Sequence, residues 1–269
     1  MLALVGCSDN LTLPPERQPF QAAEPAPLEC VPNLDQQITS DELLVGFDVP
    51  VAYRINPQDE PRPVDLVGLV DQDGVQVWDF SSDDASDEEL RIAAENPVSK
   101  WYAASFPDAD FVAALDASAR IDGVYRRTDS GVFLLGYAST EEAPPEGKTL
   151  VVYDSPVALY QLPLTDGSEW VSVGEIRNAT VRDLPYAGRD VYTVRVDGLG
   201  ELWLPELQFD EVLRIRTDLA IEPSIGEGLT RKQVSYVFEC FGEVARVVSA
   251  DDESEEDFDR AVELRRLGI

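Results

Sequence analysis

The sequence predicts an all-β protein: an antiparallel sandwich or incompletely closed barrel of roughly a dozen strands. Three observations predict it. Apolar and polar residues alternate with a period of two along most of the chain, short turn signals separate the runs, and helical periodicity is nearly absent. The stretch 191–219 carries the pattern best. Tyr192, Val194 and Val196 alternate with Thr193, Arg195 and Asp197, and Asp197-Gly198-Leu199-Gly200 then predicts a tight hairpin turn, since Gly supplies positive φ. Beyond it, Leu207, Phe209, Glu211, Leu213, Ile215, Thr217 and Leu219 form one row of a second strand. This row is expected to face the core, with Arg214 and Arg216 directed toward solvent or acidic partners. Pro205 has no N–H to donate, so it should close or bulge that strand.

The other elements follow in chain order. The folded body is expected to begin near Leu34, with a first strand over 51–55. Residues 64–70 and 75–80 predict a hairpin about Asp71-Gln72-Asp73-Gly74. The acidic run 81–89 reads as a surface loop leading into a short helical turn over 90–95. Strands are expected over 101–106 and 111–114. Residues 121–127 and 132–138 predict a hairpin, and VFLLGYA in its second arm is apolar on both faces, as a mid-sheet strand should be. The segment 140–148, TEEAPPEGK, is the one candidate internal boundary, though a long loop explains it equally well. Further strands are expected over 150–153, 157–162, 170–181, 233–240 and 244–248. The last segment, 258–267, fits a strand better than a helix because a hairpin then explains the acidic loop 250–257.

Composition narrows the function. Fifty-two Asp and Glu face 21 Lys and Arg, for a formal charge of −31. Such a surface repels phosphate backbones, so no nucleic-acid partner is expected. The chain has no His, three Cys and one Met. Imidazole bases, His triads and His- or Cys-built metal centres are thereby excluded, and no cofactor is expected. Asp71, Asp73 and Gly74 open like a calcium loop, but the spaced oxygen ligands and distal Glu are missing, and a hairpin turn explains them better. A carboxylate pair for glycoside hydrolysis has no specific signature among so many acids. No Gly-x-Ser-x-Gly elbow or phosphate loop occurs. Trp78, Trp101, Trp170 and Trp203 could stack sugars, but each lies in an expected strand, where packing is the commoner role.

The N-terminus carries a resemblance. Leu4-Val5-Gly6-Cys7 resembles the lipobox of bacterial lipoproteins, with Cys7 the acceptor. No basic residue precedes it and six residues are short for a signal peptide, so 1–6 read as the end of one, or the true start lies upstream. The resemblance implies a diacylglycerol thioether on Cys7, cleavage before it and an acylated amine. Ser8 in place of the inner-membrane retention Asp implies the outer membrane. Residues 7–33 then form anchor and tether, with six prolines from Pro14 to Pro32 that favour an extended, solvated spacer, although an ordinary disordered N-terminus would look the same. Residues 34–269 read as a single β domain. From Tyr160 to Val248 it also resembles an uncharacterised β-rich module of secreted and lipid-anchored bacterial proteins. Pro163-Leu164, Gly167, Trp170, 196–200, Leu204-Pro205 and 212–214 carry that likeness, which implies fold and no activity.

With Cys7 assigned to lipid, Cys30 and Cys240 remain. In an exported chain they are expected to pair, with Cys240 on the apolar row of Val234, Tyr236 and Phe238. The leading functional expectation is a lipid-anchored cell-envelope protein whose β domain binds a protein or apolar ligand, or serves structurally, without catalysis. The alternative is a secreted hydrolase working through carboxylates.

Overall fold

The computed structural model describes residues 30–43 and 49–268. Cys7, the lipobox and the tether up to residue 29 lie outside the described residues. The first strands are β1 (Gln37–Ile38), β2 (Val51–Ile55), β3 (Arg62–Pro63), β4 (Leu69–Val70), β5 (Gln76–Asp79) and β6 (Glu88–Ile92). Then come β7 (Phe111–Ala114), β8 (Ile121–Thr128), β9 (Gly131–Ser139), β10 (Leu150–Gln161), β11 (Leu164–Thr165) and β12 (Glu169–Val181). The chain finishes with β13 (Leu184–Trp203), β14 (Gln208–Pro223), β15 (Leu229–Phe238), β16 (Gly242–Val248), β17 (Arg260–Ala261) and β18 (Glu263–Leu267).

Twelve of these form one antiparallel path, in the order β6-β2-β18-β16-β15-β14-β13-β12-β10-β9-β8-β7. The path curls into a barrel that is nearly closed, with one unsealed seam. The seam lies between β6 and β7. Among the described residues one bridge crosses it just beyond β6, where Glu95 and Val112 exchange backbone hydrogen bonds of 2.8 and 3.0 Å. Lys100 reinforces it by pairing with Glu95 at 3.0 Å and with Asp122 of β8 at 3.4 Å. The expected fold class is therefore the observed one. The segment 140–149 connects β9 to β10, which are neighbours in this sheet.

Several local expectations change. The stretch 197–200 is not a turn. β13 runs through it with two irregularities of register, and the hairpin falls instead at 204–207, around Pro205, closed by the Leu204 N–H donating to the Leu207 carbonyl at 2.8 Å. The glycines are there for close approach: a Cβ on Gly200 would lie 2.3 Å from the Gln76 carbonyl oxygen, and one on Gly198 3.0 Å from the Trp78 ring. They let β5 lie parallel against the end of β13. The apolar row of β14 also switches faces. Glu211 takes φ +56° at a bulge, so Phe209 packs outside the barrel while Leu213 and Ile215 pack inside it. Residues 88–92 are a strand rather than the start of a helical turn. Residues 97–105 form two 3₁₀ turns rather than a strand, the first capped by Asn96 beside Pro97.

The core has three parts. Inside the barrel, Val194, Val196, Leu213, Ile215, Val237 and Leu134 pack with Val151 and Val157, and Ile38 and Leu43 join them from the N-terminal segment. Outside, a second layer covers β13–β16 and β18: Trp78 and Phe80 lie on Tyr236, edge to face, beside Leu202, Val212 and Val247. A smaller cluster of Tyr102, Phe106, Val112, Val124, Leu135 and Ala138 covers the seam side.

Cys30 and Cys240 form a disulfide with Cα atoms 5.6 Å apart, closing a loop of 210 residues. Cys240 is not on the apolar row, however. It sits half-buried in the turn after β15, with φ +66°. Next to the bond, Glu239 accepts from the backbone N–H groups of Asn33 and Leu34 at 2.6 and 3.0 Å. The chain is thus fixed to the barrel where the described segment begins.

Candidate ligand-binding site

The inward rows of the barrel are apolar at one end and mixed at the other. On β13 the row reads Val196, Val194, Tyr192, Asp190, and on β14 it reads Leu213, Ile215, Thr217, Leu219, Ile221. Val194, Val196, Leu213 and Ile215 belong to the close-packed core. Beyond them the side chains no longer meet, and a cavity of about 330 Å³ remains. That is within the range of small-molecule sites.

One wall is aromatic and aliphatic. Ile121 and Tyr125 come from β8, Leu134 and Tyr137 from β9, and Leu159 and Tyr160 from β10. The opposite wall is Asp190 and Tyr192 of β13 with Leu219 and Ile221 of β14, where Asp190 lies across from Ile221 and Tyr192 across from Leu219. Gln233, Ser235, Arg246 and Glu263 line the third side, while Asp116 and the half-exposed Arg231 mark the mouth.

The cationic side is already neutralised. Arg246 pairs with Glu243 at 2.8 Å, Arg265 pairs with Glu263 at 2.7 Å, and Glu243 also accepts from the Ser235 hydroxyl at 2.7 Å. Burial opposes the Arg246 charge, but Glu243 and Glu263 more than offset it and keep the guanidinium protonated. The phenols are held neutral by burial. Tyr125 is pushed up to about 12, and Tyr137, Tyr160 and Tyr192 are also raised. Each therefore presents a hydroxyl donor and a ring face.

Asp190 is different. It is 2% exposed, and its Oδ2 accepts from the Tyr153 hydroxyl at 2.6 Å. Tyr153 is placed for this by Gly174 on the intervening β12, where a Cβ would lie 2.5 Å from the tyrosine ring. The other oxygen, Oδ1, is buried with no hydrogen-bond partner, and among the described residues no Arg or Lys pairs with this carboxylate. Burial raises its pKa above 3.8, and the Tyr153 hydrogen bond only partly opposes that. Around it stand Tyr137, Tyr153, Tyr186 and Tyr192, with Arg246 and Glu263 farther around the cavity. The raised pKa has a definite sign in stability. The cost of ionising Asp190 is absent below about 3.8, builds as pH rises from there to the raised folded-state pKa, and is fully present above it. The protein thus holds in its interior a carboxyl oxygen with no hydrogen-bond partner, and such a group calls for one.

The acids on the cavity wall differ in what holds them: Asp190 of β13 is buried, Glu263 of β18 is half-buried, and half-buried Asp116, after β7, accepts from the Ser118 amide and hydroxyl at 2.9 and 2.6 Å. Glu263 is moreover tied to Arg265. Of the four tryptophans, Trp78 and Trp170 are buried in the two larger core clusters, and Trp101 donates to the Ser139 carbonyl at 2.8 Å. Asp71 Oδ1 accepts from the Asp73 and Val75 N–H groups, which makes its segment a capped hairpin turn. Comparisons with protein-family models, curated proteins and solved structures gave no significant match.

Sequence reading did not find this site, although one signal was present. The inward row Tyr192, Val194, Val196, extended back by one step of two, lands on Asp190.

Proposed function

We propose that this chain is a cell-envelope lipoprotein: a small-ligand-binding β-barrel held to the outer membrane by acyl chains on Cys7. The observation that carries the binding part is the cavity, with its aromatic wall and the buried, incompletely partnered carboxyl of Asp190. Binding is favoured over carboxylate hydrolysis because Glu263 is salt-bridged to Arg265 and Asp116 is held by its own turn, which leaves Asp190 without a second free acid on the cavity wall. Export is supported by the Cys30–Cys240 bond, since disulfides persist in oxidising compartments. Anchoring through Cys7 rather than through the barrel wall is supported by the outward side chains of β12 and β13. Glu169, Glu175, Arg177 and Arg189 are exposed there, and charges on a lipid-facing strand are costly at the bilayer midplane. The proline-rich segment 8–33 then serves as the spacer between acyl chains and barrel.

Detergent phase partitioning of the expressed protein against Cys7→Ala tests the anchor. Three acyl chains, at about 0.8 kcal/mol per buried methylene, place the wild type in the detergent phase, while the variant moves to the aqueous phase. Aqueous partitioning of both would remove the lipoprotein reading and leave the cavity to stand alone.

A further inference from the structure

We infer that the cavity binds an organic cation, a protonated amine on a small apolar body, with the ammonium group at Asp190. The inference rests on the binding reading above and names the ligand's chemistry.

Five observations converge on it. Asp190 is buried, lines the cavity, and has one oxygen with neither a hydrogen bond nor an ion pair. A ligand N–H is the group that oxygen lacks, and a positive charge offsets the cost of holding the carboxylate ionised away from water. The wall around it is aromatic: Tyr192 is on the same strand two residues away, and Tyr137 and Tyr125 stand on the facing strands. Ring faces attract ammonium groups, and neutral phenols keep that property. Leu134, Leu159, Leu219 and Ile221 supply an apolar surface for the rest of the molecule. The cations already in the wall are compensated from within the protein, Arg246 by Glu243 and Arg231 by Asp251, so an anionic ligand would have to compete with built-in carboxylates. Finally, the formal charge of −31 draws cations toward the protein and repels anions.

The test uses three probes on one phenylpropyl skeleton, titrated calorimetrically into the full chain at neutral pH and low salt: 3-phenylpropan-1-ammonium, neutral 3-phenylpropan-1-ol and anionic 3-phenylpropanoate. The ammonium probe is expected to bind about tenfold or more tightly than the alcohol, and the carboxylate to bind more weakly than either. Asp190→Asn is expected to remove that advantage, lowering ammonium affinity by about tenfold while changing alcohol affinity less than twofold. The same variant should melt no lower than wild type at neutral pH, because it sheds the ionisation cost, and any gain should fade as pH falls toward 3.8. That control separates loss of a ligand contact from loss of fold. An alcohol that binds as tightly as the ammonium, a preference for the carboxylate, or an ammonium preference that survives Asp190→Asn would overturn the cation assignment while leaving a binding cavity in place. Failure of all three probes to bind would overturn both this inference and the binding reading beneath it.

Discussion

The double variant Cys30→Ser, Cys240→Ser is expected to lose several kcal/mol of stability, the largest effect of any change considered. The bond closes a 210-residue loop, and the chain-entropy relation gives about 5 kcal/mol for that length. That value is a ceiling, because the unfolded chain of a β protein this apolar is already compact. Replacing both cysteines avoids a free thiol and isolates the cross-link. The loss should also be structural in a specific place. Ile38 and Leu43 pack in the barrel core, and the segment bearing them is held by the disulfide, by Glu239 at the Asn33 and Leu34 amides, and by the Cys240 N–H donating to the Glu42 carbonyl at 2.7 Å. Amide exchange in the variant should therefore rise first over residues 33–43. A denaturation midpoint within error of wild type would show that these contacts hold the segment without the bond.

Leu213→Ala is the second large effect, expected at about 2–5 kcal/mol. Leu213 is 1% exposed in the barrel core, and its pairing with Leu199 and Val237 leaves little room for collapse around a cavity. Arg216, on the opposite face, reaches acidic partners, one of the two surroundings the sequence allowed. Arg216 is 5% exposed, donates to Asp197 at 2.6 Å and to the Glu256 carbonyl at 2.8 Å, and also pairs with Asp257. Removing it leaves Asp197 with Arg214 as its remaining close partner, and a cost of about 1.5–3 kcal/mol is expected. Urea denaturation ranks the two variants against Glu175→Ala, an exposed control expected within about 0.5 kcal/mol of wild type. Arg216→Ala behaving like the control would mean that its acids are solvated. Leu213→Ala behaving like it would put β14 in the wrong register.

The barrel was largely legible because period-two patterning is a direct consequence of strand geometry, and β13–β15 carry it strongly. What failed to show has physical causes. Gly198 and Gly200 predict a turn as readily as a close approach, since absence of a Cβ permits both, and only the position of β5 decides. Residues 101–106 alternate well enough for a strand, but Trp101, Tyr102 and Phe106 form a lid over β8 and β9 in which ring packing, not a ladder, satisfies them. The disulfide could be reached by elimination, whereas the turn position of Cys240 could not. Asp190 was hidden for a different reason. A carboxylate in a strand reads as outward-facing by default, and only the register inherited from Val194 and Val196 turns it inward.

The central claim is an anchored barrel whose cavity holds a small cation, and native mass spectrometry of the protein extracted from its own membrane in mild detergent tests it most directly. The account predicts a chain that begins at Cys7, carries the mass of its acyl groups, and releases one small basic molecule on collisional activation. A chain that retains residues upstream of Cys7, bears no acyl mass and carries no bound molecule would contradict it.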